Sequence, residues 1–493
     1  MDAPVPELQA CAVACAEALL ESDRVLLASH IDADGLTSAA VAATALRRAG
    51  LPFETVFEKQ LDEDSIAGIA DRGYDTVLFT DFGSGQLDII ADHEADGAFA
   101  PIIADHHQPA DADTEYHLNP LLEGIDGASE LSGAGAAYVL ARALADRGPE
   151  TRLDNRDLAA PAVVGAVGDM QASEGRLHGA NAAIVEEGVE TGVLAETTDL
   201  SVYGKQTRPL PKLLEYASDV RIPGITNDER GAVSFLDGLD VDCRADGEWR
   251  RWVDLDDGEK QAVASALVQH AVSRGVPAFK IDRLVGTTYV LEEETTGTAL
   301  RDASEFSTLL NATARYERAD VGLAVCLGDR GEALERAREL LRNHRRNLSA
   351  GIEWVEEHGV TTEEHLQWFD AGEEIRETIV GIIAGMSMGA DGVSREMPIV
   401  AFARKSDEET IGISRETPLA PIDMPAMIPT MVSRISSPAS NHWRCSSVVT
   451  PCSSTHSMPA ERFRRWFRRS SRARSKASPR SPRQTARPTS ARS

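Results

Sequence analysis

Residues 100–109 read APIIADHHQP: a short run with the look of a buried strand, closed by an Asp and two His. Asp and His are poor strand formers, and an unpaired charge is costly to bury. The pattern makes sense if the run is a rigid mount and its tip is a ligand shell. The same arrangement recurs along the chain. DRVLLASHIDADG (23–35) ends in His30, Asp32 and Asp34, DTVLFTDFGSG (75–85) ends in Asp81, and PAVVGAVGDMQ (161–171) ends in Asp169.

Helical patterns separate these runs. LTSAAVAATALRRAG (36–50) is a small-residue helix stopped by Gly50, PFETVFEK (52–59) is a strand, and LDEDSIAGIA (61–70) and LDIIADHEAD (87–96) are helices. SGAGAAYVLARALADRG (132–148) and 153–170 are helical as well. This rhythm predicts an α/β fold, a parallel sheet with helices on both faces. Open parallel sheets bind ligands outside the carboxyl ends of their strands. The acids and imidazoles therefore converge on one sheet edge.

The 493 residues divide by pattern into four segments. Residues 1–195 carry the βαβ rhythm. Residues 196–275 are irregular, with several chain breakers, and read as a linker or insert region, partly helical. From 276 to 417 a second α/β pattern follows: strands at TTYVLEEET, DVGLAVCLGD (320–329), LQWFDAG, MPIVAFARKS (397–406) and TIGISRE (410–416), and a long helix over 331–359. Residues 418–493 hold 14 Lys+Arg against 2 Asp+Glu, with 16 Ser and 10 Pro. Such a composition cannot bury enough apolar surface to order itself. The abrupt break reads as a segment out of frame rather than as an evolved nucleic-acid arm.

The chain carries 79 Asp+Glu against 50 Lys+Arg, and only 7 of the latter are Lys. That balance suits a molar-salt cytoplasm, where charges are screened within about 3 Å. It does not exclude a nucleic-acid substrate, which needs only a local basic track. The six Cys form no CxxC pair, so they read as free thiols. No run is long enough to span a membrane, and the acidic N-terminus lacks a signal-peptide pattern. The expectation is a cytoplasmic protein.

Several carboxylates in one cleft repel unless cations sit among them. Oxygen and imidazole ligands suit Mn²⁺ or Mg²⁺ better than structural zinc, which prefers thiolates. Two such ions can clamp the attacking and leaving oxygens of a phosphoryl displacement.

The ordered set HIDADG, TDFG, ADHH and VGDM resembles the DHH phosphoesterase superfamily. LNP (118–120), SGAGAAYVL (132–140), SVYGKQTRPLPKLL (201–214), NATARYERADVGLAVCLGD (311–329) and GISRET (412–417) resemble its archaeal RecJ-like single-strand exonucleases. The resemblance implies that His30, Asp32 and Asp81 hold one Mn²⁺. Asp34, Asp81, His106 and Asp169 would hold a second, with Asp81 bridging and Mg²⁺ as the alternative ion. Asp105 would orient His106, and His107 would face the scissile phosphate, so that Asp105 and His107 form the catalytic pair. His93 and His117 fall outside these motifs and read as surface residues.

The resemblance further implies a DHHA1-type substrate domain in which Ser414 and Arg415 grip the nucleic-acid backbone. The glycine-rich GGGH-type motif that closes such domains has no counterpart after Arg415. The domain thus reads as incomplete, which puts the activity of this chain in question. The implied reaction is Mn²⁺-dependent hydrolysis of single-stranded DNA or RNA. Two alternatives stand beside it: an oligonucleotide or cyclic-dinucleotide phosphodiesterase, and a replication scaffold binding the GINS complex.

Overall fold

The computed structural model describes residues 4–147, 154–217, 220–405, 408–414 and 446–449. It divides into two units, at Arg342 and Asn343.

The first unit opens with α1 (Gln9–Leu20), β1 (Val25–His30), α2 (Ala33–Ala49), β2 (Phe53–Glu58), α3 (Glu63–Ala70) and β3 (Thr76–Thr80). Next come α4 (Leu87–Ala95), β4 (Ala100–Ala104), β5 (Tyr116–Leu118), α5 (Gly133–Arg147), α6 (Ala159–Gly168) and α7 (Gly179–Glu190). The five strands form one parallel sheet in the order β2-β1-β3-β4-β5. β1, β3 and the last four residues of β4 are buried, as a sheet covered on both faces requires. The order reverses between β1 and β3, and such a switch point is where open α/β sheets bind their ligands. His30 ends β1 and Asp81 follows β3, so the two flank that point.

The helices over this edge are built from small residues. α2 reads ADGLTSAAVAATALRRA and α5 GAGAAYVLARALADR, and both pack closely with α6. Small side chains let the helix backbones approach, and that crowds polar groups at the helix starts around the strand tips.

The section 196–275, expected as a partly helical linker or insert, is a folded insert. β6 (Leu194–Leu200) leads into α8 (Leu210–Glu215), α9 (Glu229–Asp237), the short hairpin β7 (Arg244–Ala245) and β8 (Glu248–Trp249), α10 (Asp257–Ser273) and α11 (Ala278–Ile281). Leu213, Leu214, Ile225, Trp252, Val263 and Leu267 form its own core. β9 (Val285–Leu291) then returns antiparallel to β6. The strand expected to open a second domain thus closes this insert. The breakers in the sequence mark turns between short packed helices, not a loose connection.

α12 (Ala303–Arg315) and α13 (Ala319–Cys326) complete the first unit's packing, with α14 (Glu332–His358) running on into the second. DVGLAVCLGD, expected as a strand, is therefore largely helical. A buried helix and a buried strand share the same apolar composition, and only tertiary contact separates them. Residues 343–358 of α14 belong to the second unit.

The second unit holds β10 (Thr361–Thr362), β11 (Gln367–Asp370), α15 (Val380–Ser387), β12 (Ile399–Lys405), β13 (Glu408–Ser414) and β14 (Ser446–Val449), with the strands in that order in one mixed sheet. Phe369, Ile379, Ile383, Ile399 and Ala401 form its core. Ser414 pairs with Ile399 at the end of β13, and β14 lies parallel on the other side of β13. Arg415 and most of the basic tail lie outside the described residues.

Glu305, in the first turn of α12, ties that helix to the insert. It is 1 % exposed, and it accepts bonds from the Gln206 amide (2.7 Å) and the Thr207 hydroxyl. Burial pushes its carboxyl up to about 7, against the pull of those two donors. The folded protein therefore holds this proton above the pH at which the unfolded chain releases it. That contribution is complete below about pH 4.5 and is lost as the pH rises through about 7. Urea titrations at pH 5 and pH 8 are expected to show wild type losing up to about 3 kcal/mol relative to Glu305→Gln.

Candidate metal centre

Three strand tips and one helix end deliver the charged groups. His30 closes β1, and Asp32 caps α2 by accepting the Gly35 amide at 3.0 Å. Asp34 sits in the first turn of α2, while Asp81 follows β3 in a left-handed backbone conformation (φ 59°). Asp105, His106 and His107 follow β4, and Asp169 is the C-cap of α6.

Donor atoms of His30, Asp32 and Asp81 lie within 4.8 Å of one another, and so do those of Asp34, His106 and Asp169. Asp81 stands between the two sets. Its Oδ2 is 3.5 Å from His30 Nδ1, and its Oδ1 is 3.2 Å from His106 Nε2. His106 Nε2 also stands 3.7 Å from Asp34 Oδ2 and 3.8 Å from Asp169 Oδ2.

Each carboxylate is managed differently. Asp34 accepts the Gly133 and Ala134 amides at the start of α5, at 2.7 and 3.0 Å. A helix N-terminus suits negative charge. Even so, burial, with Asp81 and Asp169 close by, pushes its carboxyl well above the usual range. Asp169 is pushed to about 6, first by burial. Asp105 is fully buried, but its Oδ1 accepts the His106 amide and His107 Nδ1 at 2.8 Å, and its Oδ2 accepts the Ser84 amide at 3.0 Å. Burial opposes its charge, yet His107 holds it well below the ordinary carboxylate value.

The His106 ring is held otherwise than expected. Its Nδ1 donates to the Gly127 carbonyl at 2.6 Å, so Gly127 fixes the tautomer, while Asp105 bonds only the His106 backbone amide and orients His107 instead. With the proton on Nδ1, a neutral His106 turns the Nε2 lone pair toward three carboxylate oxygens. Asp81 Oδ1 is buried and accepts no hydrogen bond. Two acceptors face each other there unless Nε2 carries a proton, for which the surrounding carboxylates raise its affinity, or a metal cation takes the proton's place. The donor set of oxygens and imidazoles fits a divalent ion of the Mn²⁺ or Mg²⁺ kind.

Glycines make room for this cluster. A Cβ on Gly133 would press on the Asp81 carboxylate, with Asp81 Cβ at 2.7 Å, and one on Gly165 would reach Asp34 Oδ1 at 2.5 Å. From the neighbouring α12, Asn311 Oδ1 accepts the amide of Ala33, between Asp32 and Asp34, at 3.1 Å.

Comparison with known proteins gives this arrangement its context. The N-terminal domain of the DHH family matches residues 24–165, and the DHH-CID domain matches residues 202–285. Over these two segments the chain is similar to DHH-family proteins, and in sequence and fold it is RecJ-like. Members of that family are metal-dependent phosphoesterases and exonucleases. An uncharacterised protein of Methanocaldococcus jannaschii is 27% identical over 387 residues, 77% of this chain and 78% of that protein. The single-stranded-DNA-specific exonuclease RecJ of Bacillus subtilis is 28% identical over 187 residues, 35% of this chain and 22% of that protein. Among solved structures, an exonuclease RecJ bound to manganese superposes with a TM-score of 0.53 at 18% identity, covering 87% of each chain. CDC45 from Entamoeba histolytica superposes with a TM-score of 0.57 at 11% identity, covering 81% of this chain and 86% of its own.

In this RecJ-like chain, several supporting residues escape a reading by motif. His117, expected at the surface, is 8 % exposed, and its Nε2 lies 2.8 Å from Ser84 Oγ. Asn119 donates to Ser84 Oγ and to the His107 carbonyl, both at 2.9 Å. LNP was legible only as a family feature. That its Asn braces the Asp105–His107 turn depends on β5 lying beside β4. Among the described residues, no helix is long and apolar enough to cross a membrane. Gly133→Ala is expected to weaken Mn²⁺ binding at least tenfold, because its methyl displaces Asp81. Titration of the purified chain with Mn²⁺, read by calorimetry, checks this.

Proposed function

We propose that this chain hydrolyses phosphodiester bonds of single-stranded DNA or RNA with two Mn²⁺ ions, Mg²⁺ being the alternative. The observation that carries the reading is the shared position of Asp81, whose two oxygens face two separate sets of donors. His30, Asp32 and Asp81 would hold one ion, and Asp34, Asp81, His106 and Asp169 the other. The ions would supply Lewis acidity toward a phosphoryl oxygen and a water of lowered pKa.

The chain's own groups do the positioning. His107 is turned outward, its side chain 54% exposed, while its Nδ1 donates to buried Asp105. Asp105 beside it raises its affinity for a proton, which leaves Nε2–H to bond a phosphate oxygen. Asp105 acts as the partner that keeps this donor charged and aimed. Ser414 and Arg415 are assigned to the grip on the nucleic-acid backbone, a task that suits the planar Arg fork. A folded insert at 202–285 favours a polymer substrate over a small dinucleotide. The manganese-bound RecJ and the single-strand-specific Bacillus RecJ named above support the choice of ion and of substrate.

End-labelled single strands incubated with the full chain and Mn²⁺ are expected to shorten, and Asp34→Ala to abolish the shortening. Equal rates in the two proteins would remove the metal assignment.

The CDC45 likeness favours a second reading, a replication scaffold that binds GINS proteins. Retention of the full donor set argues for hydrolysis as the primary role. Pull-down with GINS subunits, run beside the nuclease assay, separates the two.

A further inference from the structure

Behind the metal centre lies a polar side chain that no motif points to. Gln171 is 1 % exposed, and all its hydrogen-bonding capacity is directed inward. Its Nε2 donates to Asp169 Oδ2 at 2.8 Å and to the Gly127 carbonyl at 2.9 Å, and its Oε1 accepts Asn181 Nδ2 at 2.6 Å. Asn181 is itself buried, and its Oδ1 faces the Ser132 amide at 3.4 Å.

These partners settle the amide orientation. The carboxylate and the carbonyl only accept, so the nitrogen of Gln171 must face them. The reversed amide would set an oxygen against two oxygens. Gln171 Nε2 also lies 3.4 Å from His106 Nδ1, but both atoms donate, and both converge on the same Gly127 carbonyl. One amide therefore touches Asp169 directly and His106 through a shared acceptor.

The backbone explains how Gln171 gets there. The Met170 amide bonds Val167 O and the Gln171 amide bonds Ala166 O, closing α6 in a Schellman turn. Met170 occupies the left-handed position (φ 56°) that glycine usually takes, with its side chain 59 % exposed. The turn brings Gln171 back beneath Asp169 rather than away from it.

We infer that Gln171, locked by Asn181, is a positioning residue that holds Asp169 and His106 in register for the second of the two cations. The inference rests on the two-cation reading and adds an asymmetry to it. Asp169 and His106 belong to the set with Asp34, whereas His30 and Asp32 make no contact with this chain of amides among the described residues. Loss of Gln171 should loosen one ion and spare the other.

The test uses the full chain and Mn²⁺ alone, with bound and free ion measured by electron paramagnetic resonance. Wild type is expected to bind two ions. Gln171→Met, similar in volume but without the amide, is expected to keep one ion at near wild-type affinity and bind the other about 10–100-fold more weakly. Asn181→Ala leaves Gln171 in place but unlocks its amide, and it should shift the same ion by a smaller factor. Tyr138→Phe removes a buried hydroxyl bond to Glu187, away from the ions, and controls for general loosening by lowering the melting temperature without changing either affinity. Two unchanged sites in both amide variants, or equal weakening of both sites, overturns the inference. A wild-type chain that binds no Mn²⁺ instead overturns the two-cation reading, and that outcome is visible before any substitution is made.

Discussion

Concentrated negative charge beneath the surface is the constraint on which this structure depends. Asp32, Asp34, Asp81, Asp105 and Asp169 gather at one sheet edge, and three of them are almost wholly buried. Like charges at such spacing cannot all ionise without compensation. The fold compensates three of them with local donors. Asp105 takes three amides and a histidine, Asp34 takes the start of a helix, and Asp169 takes the Gln171 amide. Asp81 Oδ1 takes none, and that single unsatisfied oxygen marks where a cation belongs.

Much of the surrounding architecture serves this arrangement. The strand order places β1 and β3 side by side at the switch point, so His30 and Asp81 meet although 50 residues of chain separate them. Ala- and Gly-rich helices pack closely enough for the amides of α5 to reach a carboxylate on α2. α12 joins two jobs on one element. Its first turn holds the insert through Glu305, and two turns later Asn311 holds the amide between two acidic residues of the site. A change in the insert thus has a short route to the metal centre, through one helix hydrogen-bonded at both places.

Different parts of the chain were legible to different degrees. The strands 25–30, 76–80 and 100–104 stood out because buried parallel strands are continuous apolar runs that end abruptly. DVGLAVCLGD misled because eight or ten apolar residues satisfy a buried helix as well as a strand. The insert misled in another way. Its helices α8 and α9 are only six and nine residues long, and turn residues between them look like a linker until Trp252 and the leucines are seen to share a core.

Residue type and order by themselves determined the α/β class and set a series of acids and imidazoles, from His30 to Asp169, at the ends of apolar runs. These follow from local chemistry, since an acid at a strand tip is unusual wherever the strand lies. Only the tertiary structure decided which atom faces which. It turned Asp105 toward His107 rather than the His106 ring, gave the tautomer of His106 to the Gly127 carbonyl, and drew Gln171, Asn181 and His117 from outside any motif into the support of the site. Those assignments depend on bonds of 2.6–2.8 Å between residues up to 33 positions apart, and no spacing rule along a chain encodes a distance across a fold.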